Sequence, residues 1–503
     1  MRVVPAIPPV PPVAPVASVP PVAFLRRTSE ISFVAYPAPV VAASALVAAF
    51  RSSALVAWSS PPARVGARCP RVIVGIGVAA EARGHGDTRW RDVIAASRGL
   101  LENADVIDMA AIDNEQLARP RLLGGLAFAP GAADRAPWSG FGDAWFMLPR
   151  WTYIHDGTRG VLLFARRGNE RVPADELADL RVALAMPFTS RPQPPLTAID
   201  HGDRDAWRTQ VRAITDAIAR GEYTKIVAAR SAVVSLAGEA RAADMLAELD
   251  ARHPETARVL VRPSATTGSF IAASPERLVR FYAGKASVDA LAGSRARSSE
   301  NMVRPEFPRS SENMVRPDLS LAHGHGGQTA LDAREDQDAR ELLASGKDRR
   351  EHAIVVDAIV SALREQGADV RFPDEPTIRT LRHVLHLHTP ITADFGAARK
   401  HVLELAEALH PTPAVGGTPT RASMRWIAER EQAPRGWYSS PVGWFDSDGN
   451  GELAVAIRSG VLAGDRAHLW AGAGIVAGSD PDRELAETDL KLRAMLGALG
   501  VSA

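Results

Sequence analysis

A single cysteine in 503 residues, Cys69, leaves no intramolecular disulfide and no cysteine-built metal cage. That usage suits a reducing cytosol, and a cytoplasmic protein is the expectation. Charge of one sign is also missing, since 59 Lys plus Arg face 58 Asp plus Glu. No basic field for nucleic acid follows, and no lysine-rich stripe appears. Long hydrophobic runs are absent as well. The Ala/Val-rich run from Pro39 to Phe50 is bounded by proline and Arg51 and is too short to span a bilayer, so no membrane partner is expected. Acidic residues are scarce at the start, where Glu30 is the only one before Glu81. Pro-Pro and Val-Pro steps fill residues 5–22, where a secretory signal would need an unbroken apolar core. Residues 1–60 therefore read as a flexible Pro/Ala-rich leader with a first strand region, an organelle transit peptide being the alternative.

With 46% hydrophobic residues the remainder has ample material for a core. Trp90–Leu101 is amphipathic, and Trp207, Val211, Ile214 and Ile218 recur at helical spacing before a stop at Gly221. Further helices are predicted at 240–251, 336–366, 397–409, 420–430 and 481–499. Strands are predicted at 225–234, 257–263, 268–273, 277–282, 452–462 and 467–474. Helices and strands mix without βαβ alternation, which predicts an α+β fold of antiparallel sheets in a sandwich covered by helices. Residues 61–200 form its N-terminal part and 201–503 its catalytic region. One stretch breaks the pattern: Ser298–Pro305 recurs unchanged at Ser310–Pro317, followed by His323 and His325. Two copies are too few for a solenoid, so 297–332 reads as a polar, disordered insertion.

The chemistry concentrates near the C-terminus. Ala471-Gly472-Ala473-Gly474-Ile475-Val476 precedes Glu484, Glu487, Thr488 and Lys491. Glycines let backbone N–H groups approach an anion, while the three- and four-residue spacings put Glu484, Glu487 and Lys491 on one helix face. Two carboxylates beside an anion cradle suggest a hard divalent cation such as Mg²⁺. Upstream, in order, stand Tyr223-Thr224-Lys225, Ala273-Ser274-Pro275-Glu276-Arg277-Leu278, Leu291-Ala292-Gly293-Ser294, Lys347-Asp348-Arg349-Arg350-Glu351-His352, His386-Leu387, Pro411 to Gly417, Arg435-Gly436-Trp437-Tyr438 and Ala456-Ile457-Arg458. This series resembles the chorismate-utilising enzymes (anthranilate synthase component I-like), and their isochorismate synthase branch most closely. The resemblance spans about 205–495, with fainter traces at Val74–Ala79 and Leu123–Phe128.

The resemblance implies an isomerase that takes chorismate, adds water at ring C2 and expels the C4 hydroxyl, with Mg²⁺ as cofactor and a monomer or weak homodimer as the working unit. Lys225 matches the general base, Glu276 the general acid, and His386 a group near the C4 hydroxyl. Burial disfavours the charged form of a side chain, the direction both acid and base roles require. Glu351 and Glu487 match direct metal ligands, and Glu484 a ligand through water. Gly293, Ser294, Ala414, Tyr438, Arg458, Gly472, Gly474 and Lys491 match substrate-binding positions. Ammonia-using relatives, such as anthranilate synthase, lack a lysine at the position of Lys225, which implies water as the nucleophile. Pyruvate-eliminating relatives usually carry threonine at Ala414, which favours release of isochorismate over lysis to salicylate. Two alternatives stand beside this reading: a salicylate synthase, and a non-catalytic chorismate-binding or partner-docking protein, which would need no acid and base pair.

Overall fold

The computed structural model describes residues 31–62, 70–101, 106–107, 117–297 and 330–501, without the side chains of 106, 107 and 330–336. Cys69, the leader up to residue 30, the duplicated segment and His323 and His325 lie outside these residues. Among the described strands every pairing is antiparallel except that of Ile31–Ala38 with Val106–Ile107.

The sheet branches. Its trunk is the long pair Val72–Gly84 and Ala144–His155, the second buried on both faces along nearly its whole length, where Trp, Phe, Met, Leu and Ile suit the pleat. One branch leaves through Leu55–Ser59 and runs to Ala257–Arg262, Ser269–Ser274, Ser459–Ala463, Arg466–Ile475 and Lys225–Leu236. The other leaves through Arg121–Leu126 and runs to Pro441–Asp446, Gly451–Val455, Arg277–Tyr282, Lys285–Ala296 and Val384–Asp394. The chain passes directly from one branch to the other at Pro275–Glu276 and at Ala456–Arg458. Ser274 and Val455 stitch the crossings together: Ser274 Oγ donates to the Val455 carbonyl at 2.5 Å, and the Val455 N–H donates to the Glu276 carbonyl at 3.1 Å.

Helices close the outside. Pro481–Ala498 packs on Arg466–Ile475, and Gly346–Glu365 packs on Lys285–Ala296. Asp480 caps the first of these, accepting from the N–H groups of Asp482 and Arg483, with Pro481 at the N-terminal position that has no need of an N–H. Behind the crossings sits an aromatic cluster of Trp138, Phe141, Phe270, Trp437 and Trp470, with Trp138 and Trp470 ring centroids 4.8 Å apart. Among the described residues no helix is long and apolar enough to cross a membrane.

Three sequence expectations are corrected by the structure. The single helix expected at 336–366 is two, Ala330–Ala344 and Gly346–Glu365, because Ser345 turns extended and caps the second through the Asp348 N–H. The strand expected at 452–462 is split into Gly451–Val455 and Ser459–Ala463, since Arg458 adopts φ +50 and turns the chain into the other branch. The helix expected at 397–409 starts only at Val402, where His401 and Glu404 form a reciprocal cap. Residues 31–60, read as leader and first strand region, contain strand, helix and strand, with Ala43–Val47 buried. Strands from 61–200 and 201–503 share one branched sheet, and residues 330–332, read as the end of the insertion, begin a helix.

Candidate active site

Lys225 is the first residue of a strand whose alternate side chains point between the branches. Its side chain is 1% exposed, and Nζ donates to Glu351 Oε1 at 2.7 Å. Glu351 stands on the helix that Ser345 caps, one and a half turns in. Burial pushes its carboxyl up, but Lys225 beside it wins and holds it below the ordinary carboxylate range.

Glu276 occupies the first crossing. Its N–H is held by Ser274 Oγ at 3.1 Å and its carbonyl by Val455, so the backbone beneath the carboxyl is fixed. Burial, reinforced by the carboxylate of Asp289, pushes Glu276 up to about 8, against the opposing pull of Lys225. It is therefore a protonated acid at neutral pH. Asp289 itself meets His388 Nε2 at 3.1 Å and Arg379 at 3.6 Å.

Arg458 occupies the second crossing and points at His386, one guanidinium nitrogen 3.2 Å from Nε2. A guanidinium only donates, so Nε2 is an acceptor and the imidazole proton lies on Nδ1, which donates to the Gly293 carbonyl at 3.2 Å and lies 3.1 Å from Ser294 Oγ. Burial and then Arg458 hold His386 well below its ordinary value, in agreement with a neutral ring. Both ring nitrogens are engaged by protein, which makes His386 the group that aims Arg458. Gly293 is required by geometry: it interrupts the register of its strand at φ +70, and a Cβ there would meet Asp348 at 3.0 Å.

The glycines of the exit strand supply room. A Cβ on Gly474 would lie 2.6 Å from Glu351 Oε1 and 2.7 Å from Lys225 Cε; one on Gly472 would lie 2.9 Å from the Tyr438 hydroxyl. Lys491 Nζ donates to Glu487 Oε1 at 2.7 Å and to the Gly472 carbonyl at 2.9 Å. Burial lowers Lys491, yet Glu487 overcomes it and leaves the ammonium firmly charged. Tyr438 is pushed up by burial and stays a neutral phenol.

One cavity of about 80 Å³ gathers Lys225, Glu276, Gly293, Ser294, Glu351, His386, Ala414, Tyr438, Arg458, Gly472, Gly474, Glu487 and Lys491. Larger open clefts lie elsewhere, one of about 710 Å³ beside the 446–450 turn, but they hold none of these groups. Of the residues singled out in the sequence, only Glu484 stands outside the cavity wall, 3.3 Å from Lys347 Nζ. Burial and then Glu487 push Glu484 up. Sequence reasoning missed Asp289, Lys347 and the buried pair Arg435 and Glu431. Lys347 and Arg435 stood inside quoted motifs, whereas Asp289 carries no local signal because its meaning comes from the neighbouring strand.

An α+β fold that brings a protonated carboxyl, a lysine and an arginine to the wall of one cavity has the make-up of an enzyme site. The chorismate binding enzyme family matches residues 55–497, and the chain belongs to that family. It is 36% identical over 432 residues to the salicylate biosynthesis isochorismate synthase of Pseudomonas aeruginosa, covering 84% of this chain and 82% of that protein. It is 30% identical over 454 residues to isochorismate synthase MenF of Bacillus subtilis, covering 88% and 87%. In fold it matches the menaquinone-specific isochorismate synthase MenF of Escherichia coli with a TM-score of 0.70 at 22% identity, over 94% of this chain and 95% of that one.

Proposed function

We propose that this enzyme is an isochorismate synthase, which adds water at C2 of chorismate and expels the hydroxyl at C4. The observation that carries the reading is the presence, in one cavity, of the buried Lys225 side chain and the protonated carboxyl of Glu276. The Lys225 ammonium, paired with Glu351 here, must first give up its proton; the free amine then takes one from the attacking water. Glu276 gives its proton to the departing C4 hydroxyl, a donation that an ordinary carboxylate, ionised at pH 7, could not make. Arg458, aimed by His386, and Lys491 grip substrate carboxylates, and the Tyr438 phenol adds a donor. Ala414 leaves the cavity wall without a hydroxyl at that point, which supports release of isochorismate.

A divalent cation, Mg²⁺, belongs to the proposal, with Glu351, Glu484 and Glu487 as the residues that would hold it. Their hard oxygens suit it, and the crowding of Glu484 by Glu487 is a charge that a cation would relieve. Each of the three carboxylates faces a lysine, Lys225, Lys347 or Lys491, and among the described residues no three such side chains enclose an ion-sized space. Loading therefore requires these lysine contacts to be exchanged. When bound, the ion would neutralise a carboxylate of the substrate.

The test is incubation with chorismate and Mg²⁺ followed by NMR identification of the product. Isochorismate alone is expected. Salicylate with pyruvate would make the protein a salicylate synthase, and chorismate binding without consumption would make it a binding protein.

A further inference from the structure

The base strand lacks a neighbour where it matters most. The short strand Gly417–Thr418 pairs with Ile226 and Lys225 and then ends, and only the Val227 N–H finds the Gly416 carbonyl beyond it, at 2.9 Å. The next groups on that edge are the carbonyl of buried Val227 and the N–H of half-buried Ala229, and among the described residues no strand pairs with them there. Two side chains supply the partners. Arg435 donates from Nη2 to the Val227 carbonyl at 2.8 Å, and Glu431 Oε1 accepts from the Ala229 N–H at 3.0 Å. Arg435 and Glu431 are 2% and 5% exposed and are joined by two hydrogen bonds of 2.8 and 2.5 Å. Arg435 Nη1 also donates to the Val415 carbonyl at 2.7 Å, its guanidinium stacks 4.2 Å over Phe128, and its own carbonyl accepts from the Tyr438 N–H at 2.8 Å.

We infer that Arg435, with Glu431, is a positioning residue for the reaction: the pair stands in for a missing strand and fixes the base strand, the Ala414–Val415 loop and the Tyr438 turn relative to one another. Val227 and Lys225 are two residues apart and point to the same face, so the carbonyl that Arg435 grips sets where the Lys225 amine reaches into the cavity. Arg435 does not line the cavity that holds Lys225 and Glu276. A planar fork is needed because two carbonyls and a carboxylate are engaged at once, which an ammonium cannot reproduce.

The inference rests on the proposed chemistry and is tested with Arg435→Lys and Arg435→Met in the full chain, assayed with chorismate and Mg²⁺ beside the unaltered protein. Arg435→Lys is expected to fold, to keep KM within about threefold and to lose ~10- to 100-fold in kcat, the scale of a displacement of about 1 Å in a reacting group. Arg435→Met is expected to lose more, with Arg435→Lys standing as the partial rescue. An unchanged kcat in folded Arg435→Lys overturns the inference, as does an equal loss of kcat and rise in KM in step with a lowered melting temperature. If the unaltered protein makes no isochorismate, the proposed reaction fails; the Arg435 comparison is then read on whatever product chorismate gives, and with no turnover at all the positioning inference falls too.

Discussion

Replacing Glu276 by glutamine tests the acid assignment twice, once through rate and once through stability. Burial and Asp289 push the Glu276 carboxyl from 4.5 to about 8. About nine-tenths of the free enzyme then carries the proton at pH 7 and about one-tenth at pH 9, against well under one per cent at pH 7 for an unperturbed carboxyl. Loss of the Glu276 proton is expected to make kcat/KM of the unaltered enzyme fall roughly tenfold per unit above about pH 8.5. Glu276→Gln keeps the shape, loses the transferable proton, and should lower kcat by ~10²- to 10⁴-fold while erasing this alkaline limb. The folded carboxyl holds its proton more tightly than the unfolded one, so its contribution to stability is full below about pH 4.5 and is lost as pH rises through about 8. Glutamine does not titrate. The stability of Glu276→Gln relative to the parent should therefore grow between pH 4 and 9 by on the order of 5 kcal/mol, about 3.5 pH units at 1.36 kcal/mol each. For a chain of this size that is a relative rise of roughly 5 °C in melting temperature, readable by calorimetry at the two pH values. A variant that keeps the alkaline limb, or a stability difference that does not change with pH, would refute the reasoning.

Three further outcomes are expected. Lys225→Ala should lower kcat by ~10²- to 10⁴-fold with a near-normal KM, since Arg458 and Lys491 remain, and high ammonia should restore turnover with nitrogen in the product by mass spectrometry. Near-normal turnover of that variant would remove Lys225 from the role of base. Gly474→Ala places a methyl within 2.6 Å of Glu351 Oε1 and 2.7 Å of Lys225 Cε, so kcat should fall roughly 100-fold while the melting curve stays close to that of the parent. Chelation is expected to abolish turnover and Glu487→Gln to raise the Mg²⁺ concentration for half-activity; full activity in excess chelator would take the metal out of the mechanism.

Much of the site was legible in the sequence because its residues sit in short stretches with strong local character. Gly472 and Gly474 before a proline-initiated acidic helix announce a strand exit, a close approach and a helix start at once. The spacing from Glu487 to Lys491 already fixes their 2.7 Å ion pair, since residues four apart on a helix are neighbours. Arg458 was misread as strand because its flanks, Ala454–Ala456 and Val461–Leu462, are apolar and continuous; its positive φ is imposed by the crossing between branches, which no local pattern records. Ser345 was likewise absorbed into a long helical pattern, although a serine followed by glycine and an aspartate three residues on is a cap in the structure.

The sequence by itself determined the α+β class and the positions of most elements, because propensity, capping and periodicity act over a few residues and leave their marks there, while its resemblance to a known family singled out the residues that line the cavity. Only the tertiary structure decided how those residues work. Lys225 and Glu351 are 126 residues apart, His386 and Arg458 72 apart, and Arg435 and Val227 208 apart, yet each pair is in hydrogen-bond contact. Which carboxyl keeps its proton, which tautomer His386 adopts and what completes the base strand depend on burial and on partners brought in from distant strands. Those are properties of a cavity between two branches of a sheet, and they come into being only when the chain has folded around it.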